Sequence, residues 1–119
     1  MSAKRRSTLK AKSKVWLELN GRPVFGDGKA ALLEQIDETG SMKAAAERLH
    51  MSYRALWGRV REMERRLGSQ LVVRQVGGKA GGGSRLTDAA RLLLRRYRRF
   101  REGINAFVDA RFTRTFREN

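Results

Sequence analysis

The 119-residue chain has no cysteine, one histidine and one proline. Without cysteine there are no disulfides and no thiolate metal site, and His50 alone builds no histidine cluster. No apolar run approaches the roughly 18 residues of a membrane-spanning helix. The N-terminal "MSAKRRSTLKAKSK" is basic but lacks the apolar core of a secretory signal, which leaves an organelle transit peptide as the lesser alternative. Acid is also short: 12 Asp and Glu stand against 27 Lys and Arg, a net charge of +15 and a pI near 11.6. Such self-repulsion points to a polyanionic partner, nucleic acid first and an anionic membrane surface second. No nucleophile–base pair, paired carboxylates or metal set stands out. The sequence therefore reads as a cytoplasmic, nucleoid-associated protein that is not an enzyme and needs no cofactor or metal.

The length suits one domain, and 40% hydrophobic residues suffice for a core. Charge is unevenly spread. Residues 27–51 carry three basic and five acidic side chains, residues 52–86 eight against two, and residues 87–119 nine against four. The polyanion should meet the chain from residue 52 onward, with 27–40 facing elsewhere.

Residues 1–13 have little to bury and are expected to form a disordered basic tail. In "KVWLELNGRPVF", Val15, Leu17 and Leu19 alternate with Trp16, Glu18 and Asn20, and "NG" marks a two-residue hairpin over 14–25. Pro23 suggests an edge strand. "GDGKAALLEQIDETG" reads as a helix capped by Asp27, striped by Leu32, Leu33 and Ile36, and ended by Gly40. Ser41 caps a second helix, in which Ala44, Ala45 and Ala46 let another helix approach. After the turn "HMS", where His50 has no chemical role, Ser52 caps a third helix closed by Gly68. Its Leu56, Val60, Met63 and Leu67 define one buried face. An alanine-rich helix, a short turn and a longer capped helix suggest a helix-turn-helix.

"QLVVRQV" then reads as a strand, followed by "VGGKAGGGSRLT" and a long helix. A phosphate-binding loop would need G-x-x-x-x-G-K-[ST], but Val73 stands at the first glycine and Ala80 at the hydroxyl, which argues against it. A flexible linker is the plainer alternative. Two β-like pieces flank the glycines, so a hairpin with a glycine tip fits better. After a helix-turn-helix, such a hairpin is a wing. Lys79, Ser84 and Arg85 would then sit against DNA phosphates or the minor groove.

The stretch "TGSMKAAAERLHMSYRALWGRVREMERRLGSQLVVRQVGGKAGGGSRLT" resembles the N-terminal domain of ModE-type molybdate-responsive regulators, and more distantly the winged domain of LysR-type regulators. "MSYRALW" and "GGKAGGG" carry the likeness, which spans about residues 14–112. It implies a dimer that binds an operator through the third helix and the wing. Two departures stand out. Ala90 replaces a glycine common in the family, and no segment before Asn119 could form the oxyanion-binding half, so molybdate sensing is not carried over.

The expected fold is therefore α+β, mainly α with small β: a winged helix-turn-helix over 14–86 with an N-terminal β-hairpin. A dimerisation helix over 87–112 and a tail over 113–119 would follow. On the third helix Tyr53, Trp57 and Arg61 lie at spacings of four, with Arg54 beside them. Arg54 is the candidate for a guanine edge, Tyr53 for a phosphate or thymine methyl. Trp57 either joins them or packs inward. Ser52 and Lys43 complete the set near the DNA backbone, and Arg59, Arg65 and Arg66 form a solvated face or touch phosphates. Gly58 is costly in mid-helix and implies close approach either of DNA or of another element. In the last helix, capped by Thr87, Leu93, Tyr97, Phe100, Ile104 and Phe107 form an apolar seam read as a homodimer interface, the alternative being a helix folded on its own core. A dimer would set the reading helices about 34 Å, or a multiple, apart on double-stranded DNA. The implied function is operator-specific transcription regulation; the alternative is an architectural or silencing DNA binder of low specificity.

Overall fold

A computed structural model describes residues 9–76 and 83–116. Eight elements follow in order: β1 (Trp16–Leu19), β2 (Arg22–Gly26), α1 (Asp27–Thr39), α2 (Met42–Arg48), α3 (Tyr53–Leu67), β3 (Val72–Gln75), β4 (Gly83–Leu86) and α4 (Asp88–Phe116). Val15–Tyr97 form one compact unit, while the residues up to Lys14 and those from Arg98 onward form a second. No helix of the described residues is long and apolar enough to cross a membrane.

The β1–β2 hairpin turns at Asn20 (φ 53°) and Gly21 (φ 79°). Two consecutive left-handed residues give the loop whose twist matches the strands it joins. The register breaks between Leu17 and Glu18, with Glu18 opposite Pro23. Proline is tolerated beside such a bulge because it has no ladder donor to lose.

Helix boundaries follow local chemistry. Ser41 Oγ accepts from Ala44 N at 3.0 Å, Ser52 Oγ from Ala55 N at 3.0 Å, and Thr87 Oγ1 from Ala90 N at 3.1 Å. Gly40 and Gly68 end their helices at φ 67° and 72°. Asp27 departs from the expectation. It is the first helical residue of α1, Gly26 stands at the cap with no side-chain bond, and the Asp27 carboxylate instead accepts the Tyr97 hydroxyl at 2.5 Å.

The core of the Val15–Tyr97 unit joins Leu33 and Ile36 of α1, Ala45 and Ala46 of α2, Leu56, Val60 and Met63 of α3, Leu71, Val72 and Leu86 of the second hairpin, and Ala90 and Leu94 of α4. Ala90 is fully buried and fills core space. Phe25 meets Tyr97 edge to face, centroids 5.1 Å apart.

Tyr97 corrects the expected seam. It is 4% exposed, and its hydroxyl oxygen, bonded to Asp27, also lies 3.2 Å from Val15 O. Leu93 likewise packs against this core. Up to Tyr97, the apolar side of α4 covers the interior of the Val15–Tyr97 unit. Beyond it Phe100 and Phe107 are exposed and Ile104 is half-buried. The helix also outruns its expected end at 112. Phe112 and Phe116, one turn apart, stack at 5.3 Å and continue it to Phe116.

Within the second unit, Ser13 takes two bonds from Arg101, at 2.7 Å to its Oγ and 3.0 Å to its carbonyl. The tail expected over 1–13 is thus held at its final residue; residues 1–8 and 117–119 lie outside the described set.

Candidate nucleic-acid interface

The third helix divides cleanly. Leu56, Val60 and Met63 are fully buried, while Tyr53 is 46% exposed and Arg54, Gly58 and Arg59 are exposed. Burial of one stripe fixes the helix's rotation, which leaves the opposite stripe to solvent. Lys43 on α2, Ser52 and Arg85 on β4 are exposed as well. Ser52 also holds the N-terminal turn of α3 through its cap bond. Arg54, Arg59 and Arg85 enter no ion pair among the described residues.

A glycine in mid-helix implies close approach to something, and the structure narrows what. A Cβ added to Gly58 meets nothing within 4 Å. Packing against another element among the described residues is therefore not its reason.

Trp57 is half-buried and packs on the core edge. Its indole N–H is buried without a hydrogen-bond partner. The guanidinium carbon of Arg61 lies 4.4 Å from the ring centroid, and that of Arg74, from β3, lies 5.3 Å away. Arg74 Nη2 donates to the Tyr53 hydroxyl at 3.2 Å. Arg61 Nη1 donates to Glu64 Oε1 at 2.9 Å. Glu64 Oε2 in turn accepts the backbone N–H groups of Leu71 at 2.8 Å and Val72 at 3.2 Å. One chain of contacts thus ties α3 to the first strand of the wing.

The second strand is tied elsewhere. β3 and β4 pair antiparallel from Val72↔Leu86 to Gln75↔Gly83. Ser84 N donates to Gly40 O at 2.9 Å, and Thr87 N and Oγ1 donate to Leu71 O at 2.9 Å and Gln70 O at 2.7 Å. This corrects Ser84 as a surface contact. It is 6% exposed, because strand alternation turns it toward α1 and Arg85 outward. Lys79 and the glycine tip, residues 77–82, lie outside the described residues.

Several arginines are already engaged. Glu62 pairs with Arg65 and, at 2.6 Å, with Arg66, which also donates to Pro23 O at 3.1 Å. The hydrogen bond from Arg66, then the charge of Arg65, holds the Glu62 carboxyl below the usual carboxylate range. A depressed folded value means this contribution exists at neutral pH and fades as pH falls through it. Arg48 of α2 is bound to Glu38 and Gln35 of α1, so acid on α1 absorbs the cation nearest it.

Arg74 and Glu64 escaped the sequence reading. The signal for Arg74 was a cation at an outward position of the apolar strand "LVVRQ". For Glu64 it was an acid on a strongly cationic helix. Among the described residues no group of His, Cys, Asp and Glu could hold a metal ion.

The chain is 40% identical over 86 residues to the molybdenum-pterin-binding protein MopB of Rhodobacter capsulatus, covering 72% of this chain and 32% of that protein. It is 39% identical over 74 residues to the molybdenum transport protein ModE of Azotobacter vinelandii, covering 62% and 27%. It thus spans about a third or less of the length of these curated relatives. A solved complex of the CbnR DNA-binding domain with DNA superposes with a TM-score of 0.52 at 28% identity, covering 68% of this chain and 87% of that one. Residues 29–91 match the bacterial regulatory helix-turn-helix proteins of the lysR type. More than half of the chain lies within that match, and the chain belongs to the LysR family of bacterial regulatory helix-turn-helix proteins.

Proposed function

We propose that the chain is a DNA-binding transcriptional regulator, active as a homodimer in the cytoplasm. In this reading α3 enters the major groove and the wing lies on the backbone or in the minor groove. One observation carries it. The exposed side of α3 presents Tyr53, Arg54 and Arg61 to solvent beside the wing stem. The likeness to a family member solved on DNA supports the DNA-binding reading.

Arg54 stands near the N-terminus of α3 with no acid partner, placed for a guanine edge. Arg54→Ala should cost about 1–3 kcal/mol on the preferred site and relax base preference, whereas Lys79→Ala should weaken all sequences alike. Selection from a random duplex pool, followed by titration at fixed salt, measures both. Specific binding on the order of 10³-fold or more over random duplex is expected; a ratio near one would replace regulation with low-specificity coating.

Gly58 gives a second test. In Gly58→Ala the melting temperature should rise, since alanine is favoured in a helix by about 1 kcal/mol. DNA affinity should fall, because the added methyl stands on the face offered to the duplex. An alanine variant that melts higher and binds as tightly as before would remove Gly58 from the interface.

A second copy is the proposed cover for the later turns of α4, where Phe107 is 67% exposed. Tyr97 belongs to the core, and Leu93 packs against it. Sedimentation at micromolar concentration should report a dimer, and a monomer there would overturn it.

A further inference from the structure

Two guanidinium groups lie against one indole, and only one has an acid to balance it. Arg61 gives Nη1 to Glu64. Arg74 has neutral partners, the Trp57 ring and the Tyr53 hydroxyl, and enters no ion pair among the described residues. Like charges gathered on one ring repel unless an anion joins them. Arg74 is thus ordered in a posture that leaves its charge unmatched. Its strand is fixed as well, since Glu64 holds the N–H groups of Leu71 and Val72 at the start of β3. The bond to Tyr53 sets the guanidinium where the wing stem meets the first turn of α3.

We propose that Arg74 contacts a phosphate of the bound duplex, and that Trp57 is its positioning residue rather than a reader of bases. This rests on the DNA-binding reading above. A planar guanidinium matches two phosphate oxygens at once, and stacking on an aromatic face leaves its N–H edge free to donate. A side chain already held against Trp57 and Tyr53 needs less ordering when the phosphate arrives, which strengthens binding without any further contact. The indole N–H, without a partner among the described residues, fits this role: Trp57 serves through its ring face.

The test is equilibrium binding of the full chain to its selected duplex across a salt series, with circular dichroism melts to establish folding. Each neutralised phosphate contributes about 0.9 to the slope of log affinity against log salt. Arg74→Gln should therefore lower that slope by about 0.9, so that going from 50 to 200 mM salt costs it about 3.5-fold less affinity than it costs the parent. Arg74→Lys keeps the charge but loses the planar stack and fork. It should hold the parental slope and bind several-fold more weakly, and it serves as the test if the glutamine variant does not fold.

The role of Trp57 is read by coupling. Trp57→Phe keeps a ring face and should bind like the parent. Trp57→Leu should weaken binding several-fold with Arg74 present and markedly less in an Arg74→Gln chain. Equal losses in both chains would assign Trp57 to packing alone and overturn its positioning role. Parental slope and affinity in Arg74→Gln, on a duplex the parent binds, would overturn the phosphate contact and leave DNA binding standing. A parent that binds no duplex overturns both.

Discussion

Glu64→Ala is expected to lower the melting temperature by on the order of 10–20 °C, since an unsatisfied buried donor costs about 1–3 kcal/mol and each kcal/mol moves a domain of this size by about 4–8 °C. The Glu64 side chain is only 13% exposed and its Oε2 holds two backbone N–H groups, those of Leu71 and Val72. Both residues are 1% exposed, so water cannot readily take the place of the carboxylate. Glu64→Gln separates this role from charge. The amide oxygen still accepts from the backbone, and only the pair with half-exposed Arg61 is lost, worth at most about 1 kcal/mol. Calorimetry that places the alanine variant within about 2 °C of the parent, far less than two stranded donors require, would show that Glu64 does not hold the wing.

The second large effect is expected at Gly83. A Cβ there would lie 2.7 Å from the Gly40 carbonyl oxygen, a backbone atom with no rotamer by which to withdraw. The same carbonyl accepts Ser84 N–H at 2.9 Å. Gly83→Ala must therefore shift β4 away from the α1–α2 turn and break that bond, a loss of about 2–4 kcal/mol from overpacking and an unmet donor. Arg85→Ala, two residues on and exposed, should stay within about 0.5 kcal/mol and serves as the control. DNA binding by Gly83→Ala should fall more than its stability alone explains, because β4 carries the wing. An alanine variant as stable as the parent would mean that Gly40 and Gly83 do not meet.

Features set by near neighbours were legible in the sequence. Ser41, Ser52 and Thr87 cap helices because a hydroxyl reaches an N–H three residues on, and Asn20-Gly21 turns a hairpin because few other pairs accept two left-handed residues. The buried stripe of α3 followed from periodicity alone. What escaped depended on partners distant in the chain. Asp27 reads as a cap until Tyr97, 70 residues away, claims its carboxylate. Tyr97 and Leu93 read as seam because one stripe can face either the chain's own core or a second copy. Ser84 reads as a wing contact until Gly40, across the domain, accepts its N–H. Arg74 was missed for the same reason: a lone arginine in an apolar strand gains meaning only once Trp57 and Tyr53 are seen beside it.

Both legs of the wing are anchored independently, one at Glu64 and the other at Gly40, and they close on each other at Gln75 and Gly83. Each strand keeps its place in the domain through a bond of its own. Loss of one anchor should therefore leave the opposite strand attached to the domain.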